Sequence, residues 1–274
     1  MTKVLVLGGS GLIGNAIINE MSRDNEFDLY ATYFKNRISL NKVHNFKLDI
    51  GDLDNIKKML NMVKPRIVIS CLRGDFKKQL SLHVEVAEFL RRHGGMLYFF
   101  STTNVFDNDL SRAHFEDDAP DSQTDYGKYK IECENRIRKI LCQNACILRI
   151  PQIWGRTSPR MKELIDSIEN GKKITVYPGL FINTNTETMV AKQLCYIIKN
   201  RLHGIFHLVA EDVIGYKKFY LQLVNGLGAD NAVFQEDFSE KGNFALLSKR
   251  IGEFPEKLRI TNQMVMDYLV NQSS

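Results

Sequence analysis

Long apolar runs are missing from this chain. A bilayer-spanning helix needs about 20 apolar residues, and the runs Val4–Leu7 and Met96–Phe100 fall far short, so no membrane span is expected. The five cysteines, Cys71, Cys133, Cys142, Cys146 and Cys195, contain no Cys-x-x-Cys pair. That spacing argues against a structural metal, and the odd count fits reduced, mostly buried thiols. Basic blocks are absent as well: 37 Lys plus Arg face 32 Asp plus Glu, a net charge of +5, and the cations gather only in doublets such as Lys57-Lys58 and Arg91-Arg92. Nucleic acid is therefore not an expected partner, whereas an anionic small molecule is mildly favoured. The chain enters a strand-like segment at once, without the charged and apolar regions of a signal peptide. A soluble cytoplasmic protein is the expectation.

What is present is an ordinary globular balance, 44% hydrophobic and 25% charged over 274 residues. That is enough for one large domain or two that share an interface. The opening reads as strand, glycine turn and helix: Val4–Leu7, then Gly8-Gly9-Ser10-Gly11, then Leu12, Ile13, Ala16, Ile17 and Met21 at helical spacing. Further strand-like runs lie at Leu29–Thr32, Phe46–Leu48, Ile67–Ile69, Met96–Phe100 and Cys146–Ile150. Helical patterns separate them, through Leu53 to Val63, Leu80 to Leu90 and Tyr126 to Leu141. Strands without polar alternation, separated by helices, predict an α/β class fold, a Rossmann-type doubly wound parallel sheet. The rhythm changes at Pro151, where helix 159–170, strand Ile174–Val176, helix 187–199, strand Ile205–Val209 and helices from Tyr216 and Asn262 follow. The expected division is an NAD(P)-binding domain over 1–150 and a smaller α/β substrate-binding part over 151–274, packed on the first as a lid.

Gly8, Gly11 and Gly14 are spaced G-x-x-G-x-x-G between the first strand and the first helix. The first permits the turn, the second lets backbone approach a pyrophosphate, and the third lets helix close on sheet; the helix N-terminus favours phosphate. A dinucleotide site is expected there, with Ser10, Leu12 and Ile13 beside the glycines. NAD would ask for an acidic residue at the end of the second strand. The segment Thr32-Tyr33-Phe34-Lys35-Asn36-Arg37 instead offers Lys35 and Arg37 to a 2′-phosphate, with Tyr33 next to them, so NADPH is expected over NADH. Asp49 and Ile50 could meet the adenine edge, or Asp49 could simply make a turn before Gly51. Cys71 and Leu72, after the fourth strand, complete the cofactor set.

Tyr126 and Lys130 lie four apart, on one face of a predicted helix. An ammonium beside a phenol favours the phenolate and brings a pKa of about 10 toward working range, making a tuned acid/base. Ser101-Thr102-Thr103 ends the fifth strand, at the edge where ligands of open α/β sheets bind. In this setting the chain resembles an extended short-chain dehydrogenase/reductase, most of all the dTDP-4-dehydrorhamnose reductase group. The matching stretches are Gly8–Gly14, Phe100-Ser101-Thr102-Thr103-Asn104-Val105-Phe106-Asp107, Glu116–Pro120 with Tyr126–Lys130, and Leu148–Gly155. The resemblance implies Thr102 as the hydroxyl holding a substrate carbonyl, Tyr126 as proton donor, and Lys130 as ribose ligand and modifier of the phenol. It implies an NADPH-dependent reductase of a carbonyl on a nucleotide-activated sugar, with hydride from nicotinamide. Thr103, Asn104, Arg73 and Arg156 would then meet the substrate, and a homodimer is possible.

Departures from that pattern cluster after the fourth strand. Ser70-Cys71-Leu72-Arg73-Gly74-Asp75 stands where the family usually reads Asn-Ala-Ala with a longer loop, and His83 stands where it tends to place Asn. They leave open a non-catalytic NADP-binding subunit, similar to the regulatory β subunit of methionine adenosyltransferase, or a sugar-nucleotide epimerase. Thr103-Asn104 replaces the acidic pair of related dehydratases and argues against dehydration. Arg149, Arg156 and Arg160 could clamp a diphosphate or form ion pairs. Trp154 and His207 read as packing residues, and Asn183–Thr186 as sugar ligands or a helix cap.

Overall fold

The computed structural model describes residues 1–271. The first half runs β1 (Thr2–Leu7), α1 (Leu12–Met21), β2 (Phe27–Tyr33), β3 (Val43–Lys47), α2 (Leu53–Val63), β4 (Ile67–Ser70), α3 (Phe76–His93), β5 (Met96–Thr102), α4 (Asp125–Leu141) and β6 (Ala145–Ile150). After it come β7 (Gln152–Trp154), α5 (Pro159–Glu169), β8 (Ile174–Val176), β9 (Gly179–Ile182), β10 (Thr184–Thr186), α6 (Glu187–Lys199) and β11 (Gly204–His207). The chain closes with β12 (Ile214–Gly215), α7 (Tyr216–Gly226), β13 (Phe234–Glu236), β14 (Lys241–Phe244) and α8 (Asn262–Val270).

Seven strands form one parallel sheet in the order β11-β6-β5-β4-β1-β2-β3. Strand β1 explains why both faces must be covered. Val4 and Val6 enter one apolar cluster with Ile17, Ile18 and the α6 residues Val190 and Leu194. Leu5 and Leu7 enter another, with Leu60 of α2, Leu90 of α3 and Ile137 of α4. All four side chains are fully buried. A strand apolar on both sides is stable only between two helical layers, and this gives the doubly wound architecture. Strand order reverses direction between β1 and β4, which opens a crevice at their carboxyl ends.

Beyond residue 150 the chain does two things. Helix α6 packs beside α1 and β11 joins the sheet edge next to β6, so both belong to the sheet layer. The remaining pieces enclose a separate core around Trp154, Met161, Val176, Ile182, Phe219 and Val265. Asn183, Thr184, Asn185 and Thr186 stitch these regions together. Asn183 Nδ2 donates to Ala210 O at 3.1 Å, Thr184 Oγ1 to Asn262 Oδ1 at 2.8 Å and Asn185 Nδ2 to Gln193 Oε1 at 3.0 Å, while Thr186 caps α6. All four are buried, so they act as cap and connectors and do not face a sugar. Among the described residues no helix is long and apolar enough to cross a membrane.

The diphosphate role offered for Arg149 is corrected by its burial. Its side chain is 1% exposed and forks onto Glu134, 2% exposed, with Nη2 to Oε2 at 2.8 Å and Nε to Oε1 at 3.1 Å. Ser101 Oγ donates to the same carboxylate at 2.5 Å, linking β5, α4 and β6. His207 lies at the far side of this guanidinium and shares a 2.8 Å hydrogen bond with Leu247 O, a satisfied strand histidine that burial lowers to about 4. A buried pair that loses one partner leaves an uncompensated charge. Glu134→Ala is expected to cost about 3–5 kcal/mol in urea unfolding, with most of it recovered in Glu134→Leu/Arg149→Met. A loss below about 1 kcal/mol would contradict this reading of the network.

Candidate active site

The glycine turn is built by close approach. Gly8 has φ +80°, and a Cβ there would meet Cys71 O at 2.9 Å; Gly14 would drive one into Gly8 O at 2.4 Å. Gly11 differs, since only Gly8 O lies near, at 3.4 Å, so its bare Cα faces open space. Gly11 also begins α1 without a side-chain cap, and no acid occupies the first turn. An uncapped N-terminus behind a glycine that leaves room is a cradle for phosphate, and it fits the pyrophosphate of a dinucleotide. Thr32, which sequence reasoning passed over, accepts from Gly8 N–H through Oγ1 at 2.9 Å and so pins the turn to β2.

The other expected cofactor residues follow the carboxyl ends of neighbouring strands: Tyr33, Lys35 and Arg37 at β2, Asp49 and Ile50 after β3, Cys71 and Leu72 after β4. Lys35 and Arg37 are exposed and make no ion pair among the described residues. Asp49 Oδ1 accepts from Gly51 N–H at 2.8 Å, the turn-making arrangement. A cavity of about 810 Å³ runs from Ser10, Gly11 and Leu12 along α1 to Glu187 and Tyr268.

Beside the turn, β5 ends in Thr102, and α4 brings Tyr126 and Lys130 to it. Helix α4 begins where it does because Thr124 caps it, accepting from Gly127 N–H at 3.1 Å, while Thr124 Oγ1 donates to Asp107 Oδ2 at 2.5 Å. Gly127 is pressed against the strand end, for a Cβ there would meet Ser122 Oγ at 2.0 Å and Asn104 O at 2.3 Å. Thr102 Oγ1 donates to Asn104 Oδ1 at 2.9 Å and accepts Asn104 N–H at 3.3 Å. Asn104 therefore orients the threonine hydroxyl, a task its sequence position did not reveal. Thr103 points the other way: it is 3% exposed and its hydroxyl donates to Ile150 O at 3.3 Å, so the structure does not bring it to a substrate.

The electrostatics of the pair differ from the expectation. Tyr126 is raised above the ordinary phenol value because burial outweighs a hydrogen bond to Thr102 and the charge of Arg73, both of which lower it. Lys130 is not among the groups that bring it down. Its ammonium is buried, donates to Phe100 O at 2.7 Å and lies 5.9 Å from the Tyr126 ring. Burial also lowers Lys130 itself, to about 8. The result is a phenol that keeps its proton at neutral pH, beside a strained ammonium. His83 sits behind them, sharing a 2.7 Å hydrogen bond with Ser70 Oγ, and burial lowers it to about 3, so it stays a neutral packing and hydrogen-bonding group.

Two outlying residues are engaged elsewhere. Arg156 Nε donates to Tyr268 O at 2.8 Å and its guanidinium covers the Tyr268 ring at 4.6 Å, fastening it to α8. Trp154 is fully buried in the C-terminal core, with Arg160 at 5.5 Å from its ring.

The chain is similar to several known proteins. A family model described as the RmlD substrate binding domain matches residues 76–242. Methionine adenosyltransferase 2 subunit beta of Danio rerio is 26% identical over 233 residues, 77% of this chain and 69% of that protein. Spore coat polysaccharide biosynthesis protein SpsK of Bacillus subtilis is 22% identical, covering 100% of this chain and 99% of its own length. Among solved structures, a dTDP-4-dehydrorhamnose reductase from Clostridium acetobutylicum superposes with a TM-score of 0.81 at 18% identity, covering 98% of both chains. Another, from Bacillus anthracis in complex with NADP, gives 0.79 at 16% identity over 98% of this chain and 99% of that one. At such identities the structural likeness establishes the fold.

Lys130 supplies a test of the site's electrostatics. A buried ammonium with one backbone partner costs stability, so Lys130→Met is expected to be more stable than wild type by about 1–3 kcal/mol at pH 7. Between about 8 in the fold and 10.5 in the unfolded chain, the unfolded state holds the extra proton and the wild type gains stability as pH rises. Chemical unfolding at pH 7 and pH 9.5 should find the gap between the two proteins shrinking. A gap of opposite sign, or one independent of pH, would count against a desolvated charge at this position.

Proposed function

The chain belongs to the RmlD substrate-binding-domain family, and from that membership we propose that it is an NADPH-dependent reductase of a carbonyl on a nucleotide-activated sugar. The observation that carries the reading is the meeting of Tyr126 with Thr102 at the end of β5, with the Lys130 ammonium 5.9 Å from the Tyr126 ring, in a fold whose glycine cradle fits a dinucleotide. In this reading the Gly8–Gly14 turn and the N-terminus of α1 hold the pyrophosphate, and Lys35 and Arg37 meet the 2′-phosphate that distinguishes NADPH. Bound nicotinamide supplies the hydride.

The protein's own groups do the rest. Thr102 and Tyr126 present hydroxyls to the substrate oxygen, and hydrogen bonds aimed at a developing alkoxide stabilise it more than the starting carbonyl. Tyr126 gives up its proton as negative charge grows on that oxygen. A phenol raised by burial is fully protonated at the outset, as a donor must be. Lys130, held by Phe100 O, offers its remaining N–H donors to the ribose, while the Thr102 hydrogen bond and the charge of Arg73 favour the phenolate left behind. Asn104 Oδ1 accepts the single Thr102 proton before substrate binds, so Thr102 serves the substrate oxygen by turning that proton from one acceptor to the other.

A second reading, a non-catalytic NADP-binding regulatory subunit, is supported by the Danio rerio relative and by the altered loop after Ser70. The two diverge in a single experiment. NADPH oxidation is followed with a panel of keto-sugar nucleotides, for wild type and Tyr126→Phe, alongside NADPH binding by fluorescence. The reductase reading expects wild-type turnover that falls by about 10²–10⁴-fold in Tyr126→Phe, with cofactor affinity unchanged. Cofactor binding without turnover on any member of the panel would favour the regulator, and full activity in Tyr126→Phe would remove the mechanism.

A further inference from the structure

Residues 71–76, which replace the Asn-Ala-Ala and longer loop expected of the reductase pattern, are anchored on both sides of Arg73. Before it, Cys71 N–H donates to Leu7 O at 2.9 Å and Leu72 packs on the apolar cluster under the sheet. After it, Gly74 adopts φ +128° and its carbonyl accepts from Gln79 Nε2 at 2.8 Å. Gln79 is 2% exposed and its Oε1 accepts from Tyr129 Oη at 3.0 Å. Phe76 then stacks on the Tyr129 ring at 4.9 Å and 6°, with Tyr126 at 5.8 Å. The arm is thus strapped to α4, the helix that carries Tyr126 and Lys130.

Between these anchors Arg73 is exposed, and its charge reaches both Tyr126 and Lys130. Neither cation is paired with a carboxylate among the described residues. The nearest candidates are engaged: Asp75 Oδ1 accepts from Lys78 N–H at 2.9 Å as the α3 cap, and Glu134 holds Arg149. Two cations without an ion-pair partner, beside a phenol that keeps its proton, leave this edge of the sheet electropositive, which an incoming anion would complete.

We propose that Arg73 is a specificity residue that binds a carboxylate carried by the substrate sugar close to the carbonyl offered to Tyr126, and that Gln79 and Tyr129 are positioning residues for it. The substrate class is then an acidic, uronate-type sugar nucleotide, in place of one with a neutral sugar. This rests on the reductase reading for the identity of the site, yet its test needs no turnover. A planar guanidinium matches a carboxylate in a two-point fork, which a lysine only partly reproduces.

Calorimetric titration of the NADP⁺-loaded protein with UDP-glucuronate and UDP-glucose isolates the carboxylate, since the two ligands share nucleotide and diphosphate. Wild type is expected to bind UDP-glucuronate about tenfold tighter or more, the worth of one charge-assisted hydrogen bond. Arg73→Gln should abolish that preference, Arg73→Lys should restore part of it, and Gln79→Leu should weaken it with NADP⁺ affinity intact. Arg73 is exposed, so its replacements should fold. Equal affinity of wild type for both ligands, binding of neither, or an equal loss for both in Arg73→Gln, which would place Arg73 on the diphosphate, would each overturn the proposal. A preference found in a protein without turnover would leave the specificity standing and the reductase reading fallen.

Discussion

The approach of α4 to the end of β5 at Gly127 is the contact on which the site depends. Any side chain there would collide with Ser122 Oγ and Asn104 O, so the first turn of the helix can sit against the strand end only because the residue is glycine. That seating places Tyr126 one residue before the contact and Lys130 three after it, so that Tyr126 meets Thr102 and Lys130 reaches Phe100 O. The Asp107–Thr124 hydrogen bond fixes where the helix starts, which fixes its rotation. Side chains four apart share a face in any helix, but only this docking decides which face it is.

Charge burial is the second constraint. Arg149 and Glu134 neutralise each other inside the protein, and Ser101 completes the carboxylate's hydrogen bonds one residue before Thr102. Lys130 has no such partner and is held by a backbone carbonyl alone among aromatic rings. Stability and function pull apart here: a fully paired lysine would be quieter, whereas an unpaired one keeps donors and charge available to ligands. Strained groups of this kind gather where a protein works.

Much of this was legible in the sequence. Apolar runs without alternation, such as Val4–Leu7, specified the parallel sheet because both their faces must be buried, and the G-x-x-G-x-x-G spacing located the turn at its first crossover. Helices α2, α4 and α6 fall within about a residue of their expected bounds, since their apolar spacing is regular and their caps are Asp52, Thr124 and Thr186. The short strands after Pro151 were less readable: two- to four-residue segments carry no periodicity, and their pairing is set by tertiary packing. Side-chain partnerships across 15 to 50 residues were not readable at all. Arg149 with Glu134, and Tyr129 with Gln79, join residues whose types are common and whose meeting depends on the sheet order. The direction of the Tyr126 shift was missed for a related reason. Four-residue spacing brings an ammonium near a phenol, but that Lys130 is buried while Tyr126 stays 38% exposed with its surroundings partly desolvated is a property of the folded cleft.

The central claim is that this cleft passes hydride from a bound pyridine nucleotide to a sugar-nucleotide carbonyl. NADPH deuterated at the transferable position of nicotinamide C4, incubated with the protein and a keto-sugar nucleotide, tests it directly by mass spectrometry of the recovered sugar. The account predicts one deuterium on the new carbinol carbon. Recovery of unlabelled sugar and intact labelled NADPH across the series of keto-sugar nucleotides, with the cofactor demonstrably bound, would contradict it.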